Sequence, residues 1–236
     1  MSGTEDIRKA LADAGAEANE EQAEKLRIYM ERILEKNGEI NLTRITEPDE
    51  FIRGHFADSA AIAGFPEYRS AKHVIDVGTG AGFPGMVLAV LSPEKEFVLL
   101  DSLAKRLKVI EAIAKEIGAD NVSFVHARAE EAGRDPALRE QFDLAVSRAV
   151  AKMPVLAELC VPFVKPGGAF LAYKSENAAE EIRDSARALK ILGAGEPYLL
   201  HSGVKDLGHL FAAAKKQENT PGAYPRKAGT PSRKPL

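Results

Sequence analysis

The chain has 236 residues, with 32 Lys and Arg against 35 Asp and Glu and a formal net charge of −3; this suits one ample domain with a smaller appendage and excludes a global positive field, so any polyanion-binding surface has to be local. The single cysteine, Cys160, excludes an internal disulfide and a cysteine metal cluster. No apolar run approaches the length of a membrane span and the opening MSGTEDIRKA is charged rather than signal-like, so a cytoplasmic protein with neither a membrane nor a metal partner is expected.

Thr4 is placed to cap a short helix carrying Ile7, Ala10 and Leu11, closed by Gly15. A stronger helix begins at Asn19, with Gln22 in the third helical position and Leu26, Tyr29, Met30, Ile33 and Leu34 at spacings of three and four; Asn37 and Gly38 are expected to stop it. Pro48 opens a third helix holding Phe51, Ile52, His55, Phe56, Ser59 and Ile62, which Gly64 and Pro66 break. Residues 1–70 thus read as a helical cap with an acidic surface, suited to packing beside a ligand cleft. His55 reads as a satisfied structural histidine.

The chain is organised around VIDVGTGAGFPG, Val74 to Gly85. Val74 to Val77 read as a buried strand, and Met86 to Leu91 as a helix. Between them Gly78, Gly80 and Gly82 lack a Cβ, which permits a sharp turn and aims bare amides and a helix N-terminus at a ligand expected to be nucleotide-like. Gly80, Gly82 and Gly85 also satisfy the G-x-G-x-x-G of dinucleotide-binding folds. The register differs, however: that fingerprint begins as the strand ends, a place held by Gly78, and Phe83 stands where the third glycine belongs. Gly78-x-Gly80-x-Gly82 after Asp76 resembles instead the first motif of class I S-adenosylmethionine methyltransferases. Asp101, closing the next apolar run, is placed to accept hydrogen bonds from ribose hydroxyls under either reading.

Strands are predicted at Val74 to Val77, Phe97 to Leu100, Val122 to His126, Leu144 to Ser147 and Ala169 to Tyr173, alternating with helices, the pattern of a doubly wound parallel sheet. The helices are Lys105 to Ile117, ended by Gly118, and Val155 to Val164, which contains Cys160 and is closed by KPGG. Beyond Tyr173 a helix runs through Ile182 and Leu189. Two short apolar runs, Tyr198 to Leu200 and His209 to Ala213, are suited to closing the sheet as a hairpin. Residues 71–216 make up this unit. Residues 217–236 differ in kind: they are rich in proline and glycine, lack an acidic residue after Glu218, and carry Arg226, Lys227, Arg233 and Lys234. Such a tail reads either as a disordered end or as a flexible basic arm for a phosphate backbone.

Several separated motifs then coincide in one order: NLTRI from Asn41, HFADSA from His55, DVGTGAGFPG, LLDSLAKR, RAEE, FDLAVSRA, VKPGG and YPRKAGTPSRKPL. The whole resembles the GidB or RsmG family, bacterial methyltransferases that modify N7 of a guanine in 16S ribosomal RNA. The resemblance runs from about Asn41 to the last residue and implies a class I methyltransferase fold, S-adenosylmethionine as cofactor, and 16S ribosomal RNA or the small-subunit particle as partner. It places Gly78 and Phe83 against the cofactor, Ala129 and Glu130 beside the adenine, and Arg148 in the same site. Each has a plainer alternative: interlayer packing for Phe83, a solvated helix charge for Glu130. Lys174, after the fifth strand, is a candidate RNA contact alongside the four cations of the tail.

The chemistry agrees with what the motifs lack. Methyltransferases acting on an exocyclic adenine amine commonly carry Asn or Asp followed by Pro-Pro after the fourth strand; here that place holds Ser147, Arg148 and Ala149. A cytosine-carbon enzyme needs a cysteine nucleophile, and Cys160 falls in a predicted core helix. Guanine N7 has an available lone pair, so no catalytic base is assigned and catalysis is read as positioning. The rivals are an NAD-dependent oxidoreductase, favoured by Gly80, Gly82, Gly85 and Asp101, and a non-catalytic RNA-binding ribosome assembly factor, favoured by the basic tail.

Overall fold

A computed structural model describes residues 3–175, 178–202 and 209–236. Its first helices are α1 (Thr4–Asp13) and α2 (Glu20–Ile40). Gly3, not Thr4, caps α1, while Asn19 and Gln22 form the expected capping box, each side chain bonded to the other's backbone N–H. Asn37 and Gly38 do not stop α2, which continues to Ile40 and ends at Asn41 in the left-handed region, φ 51°. Asn37 lies in the last turn, where its Oδ1 accepts from the amides of Leu42 and Thr43 and so fixes the chain that leaves the helix.

The third helix is composite: α3 (Pro48–Phe51), a π-helical segment at Ile52–Ala57, and α4 (Asp58–Ala60). Pro66, placed as a helix breaker, in fact opens the short α5 (Pro66–Ser70), since proline suits a first turn as well as it ends a last one. Then follow β1 (His73–Val77), α6 (Gly85–Leu91), β2 (Glu96–Asp101), α7 (Ala104–Glu116), β3 (Val122–His126), α8 (Ala129–Ala132), β4 (Phe142–Arg148), α9 (Met153–Cys160), β5 (Val164–Ser175), α10 (Ala179–Asp184), α11 (Ala186–Ile191), β6 (Tyr198–Leu200), β7 (His209–Lys215) and α12 (Thr230–Arg233).

The strands form one sheet in the order β3-β2-β1-β4-β5-β7-β6, parallel from β3 to β5 and antiparallel where β7 pairs with β5 and β6. The expected hairpin is therefore present, with its second strand inserted next to β5. That reversed strand separates the sheet from the dinucleotide-binding order 3-2-1-4-5-6. The KPGG segment does not close α9, which ends at Cys160 and passes through a 3-10 turn at Val161–Phe163; it lies inside β5, opposite a register shift between Phe142 and Leu144. A Cβ on Gly168 would lie 2.5 Å from the Asp143 carbonyl, so only glycine permits that close pairing.

Alternation along the strands sends side chains to two apolar layers. Val74, Leu99, Leu144, Val146 and Leu171 join the layer shared with α1, α2, α6 and α7, whereas Ile75, Leu100, Ala145, Phe170 and Ala172 join that of α9 and α11. Polar ties fasten the cap to its layer: Gln22 Nε2 donates to the carbonyls of Val90 and Leu91 at the end of α6 (3.1 and 3.3 Å), and Arg32 pairs with Glu116 across α2 and α7. Among the described residues no helix is long and apolar enough to cross a membrane.

Candidate active site

The loops that follow β1, β2, β3 and β4 border a cavity of about 420 Å³, at the carboxyl ends of the parallel strands where open α/β sheets bind ligands. Gly78, Gly80, Phe83, Asp101, Ala129, Glu130 and Arg148 all line it; Gly82 does not.

Most amides of the glycine turn are already engaged within the protein, that of Ala81 being the exception among residues 78–83. Gly78 and Thr79 donate to the Leu100 carbonyl (2.8 and 3.1 Å), Gly82 and Phe83 to the Thr79 carbonyl (2.9 and 3.1 Å), and Gly80 to Asp101 Oδ2 (2.9 Å). What the turn offers a ligand is bare Cα surface and the Ala81 amide, which lines the cavity and has no hydrogen-bond partner among the described residues. Gly78 and Gly80 have φ of +77° and +60°, and the space where Gly80 would carry a Cβ is open. A Cβ on Gly78 would lie 2.5 Å from Val150 Cγ2, so the loop after β4 leans on the turn there. Gly82 faces the cap: at φ +84° its Cβ would overlap the Tyr29 hydroxyl, which donates to the Ala81 carbonyl at 2.7 Å. Gly82 thus leaves room for the cap, and it does not line the cavity where it was expected to meet the cofactor.

Asp101 ends β2 and is only 7% exposed, with Oδ2 on the Gly80 amide and Oδ1 on the Leu103 amide at 2.8 Å. Each oxygen keeps a second acceptor site for a ligand hydroxyl. Glu130, in the first turn of α8 and 7% exposed, accepts at Oε1 from the Gly229 amide (2.8 Å), so it is no solvated helix charge.

Opposite the turn, the cap supplies a wall. Phe83 stacks on His55, with centroids 4.3 Å apart and planes within 2°, and meets Phe51 and Tyr29 edge-on, so it packs between layers and faces the cavity at once. Arg148 donates to Asp58 Oδ2 (2.5 Å), the Gly54 carbonyl (3.0 Å) and His55 Nδ1 (3.0 Å), with its guanidinium carbon 5.4 Å from the Phe83 centroid. Since arginine only donates, Nδ1 is the accepting nitrogen, and the Nε2 proton is directed at Thr43 Oγ1, 2.7 Å away. Burial, reinforced by Arg148, pushes the imidazole down to about 3, leaving it neutral at ordinary pH. Asp76, wholly buried beneath the turn, accepts from Thr79 Oγ1 (2.6 Å) and Gly85 N (2.9 Å), and burial raises it to about 6.

Of the expected RNA contacts, Lys174 is largely buried, donating to the Ala151 carbonyl and pairing with Glu181 at 2.6 Å. Arg226 turns inward, its guanidinium on both oxygens of Glu158, a carboxylate with 0% exposure. Internal ion pairs hold both, so neither is the free surface cation that was expected. Lys227, Arg233 and Lys234 remain on the surface. The tail is packed: Arg134 donates to the carbonyls of Pro225 and Ala223, Arg139 to those of Tyr224 and Thr220, and Pro225 and Pro231 are buried.

Sequence reasoning missed Leu103, Arg106, Arg128 and Val150, which also line the cavity. Leu103 and Val150, 50% and 40% exposed, present apolar side chains at its mouth. Leu103 and Arg106 sit within LLDSLAKR, two and five places after Asp101, so a closer reading of that loop was the available signal.

Residues 22–206 match the family model of GidB, described as rRNA small subunit methyltransferase G. The chain is 48% identical over 222 residues to the ribosomal RNA small subunit methyltransferase G of Desulfitobacterium hafniense, covering 93% of this chain and 92% of that one. It is 42% identical over 232 residues to the protein of that name in Clostridium perfringens, with 98% and 97% covered. In three dimensions it resembles a SAM-dependent O-methyltransferase of Thermotoga maritima with a TM-score of 0.55 at 16% identity, over 79% of this chain and 72% of the other, a likeness of fold.

Proposed function

The chain belongs to the GidB family of small-subunit rRNA methyltransferases, and on that footing we propose that it transfers the methyl group of S-adenosylmethionine to N7 of a guanine in 16S ribosomal RNA, by positioning and without a dedicated base. The observation that carries the reading is the cavity in which the bare glycine turn, Asp101 and Arg148, itself clamped by Asp58, converge at the ends of the parallel strands.

The residues fit the cofactor. Gly78 and Gly80 leave Cα surface where a side chain would fill the cradle, Asp101 would accept from ribose hydroxyls, and Ala129 and Glu130 would flank the adenine. Bound there, the cofactor supplies an electrophilic methyl on a sulfonium. The chain's own work is to hold the guanine in line with it and to exclude water. Guanine N7 carries a lone pair and needs no deprotonation, and the cavity agrees with that. His55 is neutral with both nitrogens engaged, and Cys160 is buried away from the cavity with its thiol pushed up by burial. Orientation of two reactants near 3 Å is worth about 7–11 kcal/mol at best.

N7 faces the deep, narrow major groove of A-form RNA, so the target base has to be unpaired or exposed. Arg106 and Arg128 at the rim, with Lys227, Arg233 and Lys234 on the tail, provide the local positive charge that the net charge of −3 withholds globally. The test is labelled-methyl transfer to total ribosomal RNA and to small-subunit particles, with the modified nucleoside identified. 7-Methylguanosine is expected; label on another nucleoside, or none, overturns the proposal.

A further inference from the structure

Glu130 and Gly229 are separated by 99 positions, yet the Gly229 amide donates to Glu130 Oε1 at 2.8 Å. Glu130 lines the cavity; Gly229 does not. Among the described residues the Glu130 carboxylate makes no other hydrogen bond, and its Oε2 is not one of the buried oxygens lacking a partner, so that oxygen is unbonded and still accessible on a residue that lines the cavity. One carboxylate oxygen is therefore tied to the tail while the other is available to a ligand.

The segment holding Gly229 is firmly anchored. Arg226 grips Glu158 through Nε and Nη2 (2.9 and 2.6 Å) and through its backbone amide (2.7 Å), and Arg134 and Arg139 hold the carbonyls of residues 220–225. Pro225 packs within 3.1 Å of the place where Gly133, just past α8, would carry a Cβ. Gly229 itself takes φ +77°, a left-handed turn that directs its N–H back toward α8. A tail serving only as a phosphate-binding arm requires none of these ties to the helix that borders the cavity.

We propose that the C-terminal segment is a working part of the cofactor site: Gly229 is a positioning residue whose N–H fixes the Glu130 carboxylate for the exocyclic amine of the adenine. This rests on the reading that Glu130 flanks the adenine. The fixed carboxylate meets a ready-made acceptor geometry, so less side-chain freedom is lost when the ligand binds.

The test is calorimetric binding of S-adenosylhomocysteine to full-length variants. Gly229→Pro removes the N–H and should weaken binding at least tenfold. Gly229→Asn keeps both the N–H and the left-handed turn, for which asparagine is suited, and should stay within about twofold of the original chain. In a Glu130→Ala background the Gly229→Pro change should add less than about twofold. Equal weakening in both backgrounds, or unchanged affinity in Gly229→Pro, overturns the inference. If Glu130→Ala itself binds normally, the adenine reading falls first. Should Gly229→Pro fail to fold, hydrogen exchange decides in the unaltered chain: saturating S-adenosylhomocysteine should slow exchange of the Gly229 amide at least fivefold, and an unchanged rate overturns the role.

Discussion

The imidazole of His55 lies flat on the ring of Phe83, 4.3 Å between centroids, and that stack is the seam between the helical cap and the glycine turn. It survives only with a neutral imidazole, because Arg148 donates into Nδ1 and a proton there would meet a guanidinium.

A pH dependence follows, with its sign. The folded chain holds His55 down at about 3, against an unfolded value near 6.5. Its contribution to stability is therefore complete above pH 6.5 and is lost as pH falls from there toward 3. Asp76, raised to about 6, acts in the opposite direction: its contribution is complete below about 3.8 and is lost as pH rises through 6. The two slopes oppose each other between about pH 4 and 6, so the informative quantity is a difference. Relative to the original chain, His55→Phe should gain about 1.4 kcal/mol per pH unit as pH falls through that window. Urea unfolding across it checks this, and parallel curves would remove His55 from the account.

Gly82→Ala should destabilise the fold by about 2–4 kcal/mol, from overpacking against Tyr29 and from a left-handed φ. Adding Tyr29→Phe removes the hydroxyl that the new methyl strikes, so the double variant should be more stable than the sum of the two single losses. Strict additivity in denaturant melts would show that Gly82 is not kept for the cap.

Asp101→Ala should weaken S-adenosylhomocysteine by about 1.5–3 kcal/mol, the worth of hydrogen bonds to a charged acceptor, and should leave RNA affinity alone. The loss includes freeing the Gly80 and Leu103 amides that the carboxylate now holds. Titration calorimetry measures it; a fall in RNA binding with cofactor affinity intact would move Asp101 to the other half of the site.

The cations of the tail should separate into two kinds. Arg226→Ala strands the buried Glu158 and should cost about 3–5 kcal/mol of stability with little direct effect on RNA. Replacing Lys227, Arg233 and Lys234 by alanine should leave stability within about 0.5 kcal/mol. It should also shrink the log–log salt slope of single-stranded RNA binding by about 0.7 for each phosphate no longer neutralised, about two in all. An unchanged slope would make these side chains bystanders.

The strands were legible because each is a short apolar run between turn residues, and β3 falls at the predicted residues Val122–His126. The Asn19–Gln22 capping box was equally readable, since both partners lie within one turn. What local spacing does not encode is which distant group meets which. Arg226 looks like free charge until Glu158, 68 positions earlier, is folded beneath it. Gly82 looks like its neighbours Gly78 and Gly80 until Tyr29 arrives from the cap. The amides of Gly78, Thr79 and Gly80 looked available because their acceptors, the Leu100 carbonyl and Asp101, belong to the next strand.

The π-helical turns at Ile52–Ala57 carry His55, which stacks on Phe83, and lead directly into Asp58, which pairs with Arg148. Such a segment accommodates one residue more than an α-helix of the same span. Removing Ala57, which lies between them, would tighten the winding and swing His55 and Asp58 about 100° relative to each other. Every side chain of the wall could still be encoded, yet the ring stack and the guanidinium clamp could no longer be satisfied together. In this stretch a deletion is a graver lesion than a substitution, because the chain's length there sets the angle between two halves of one wall.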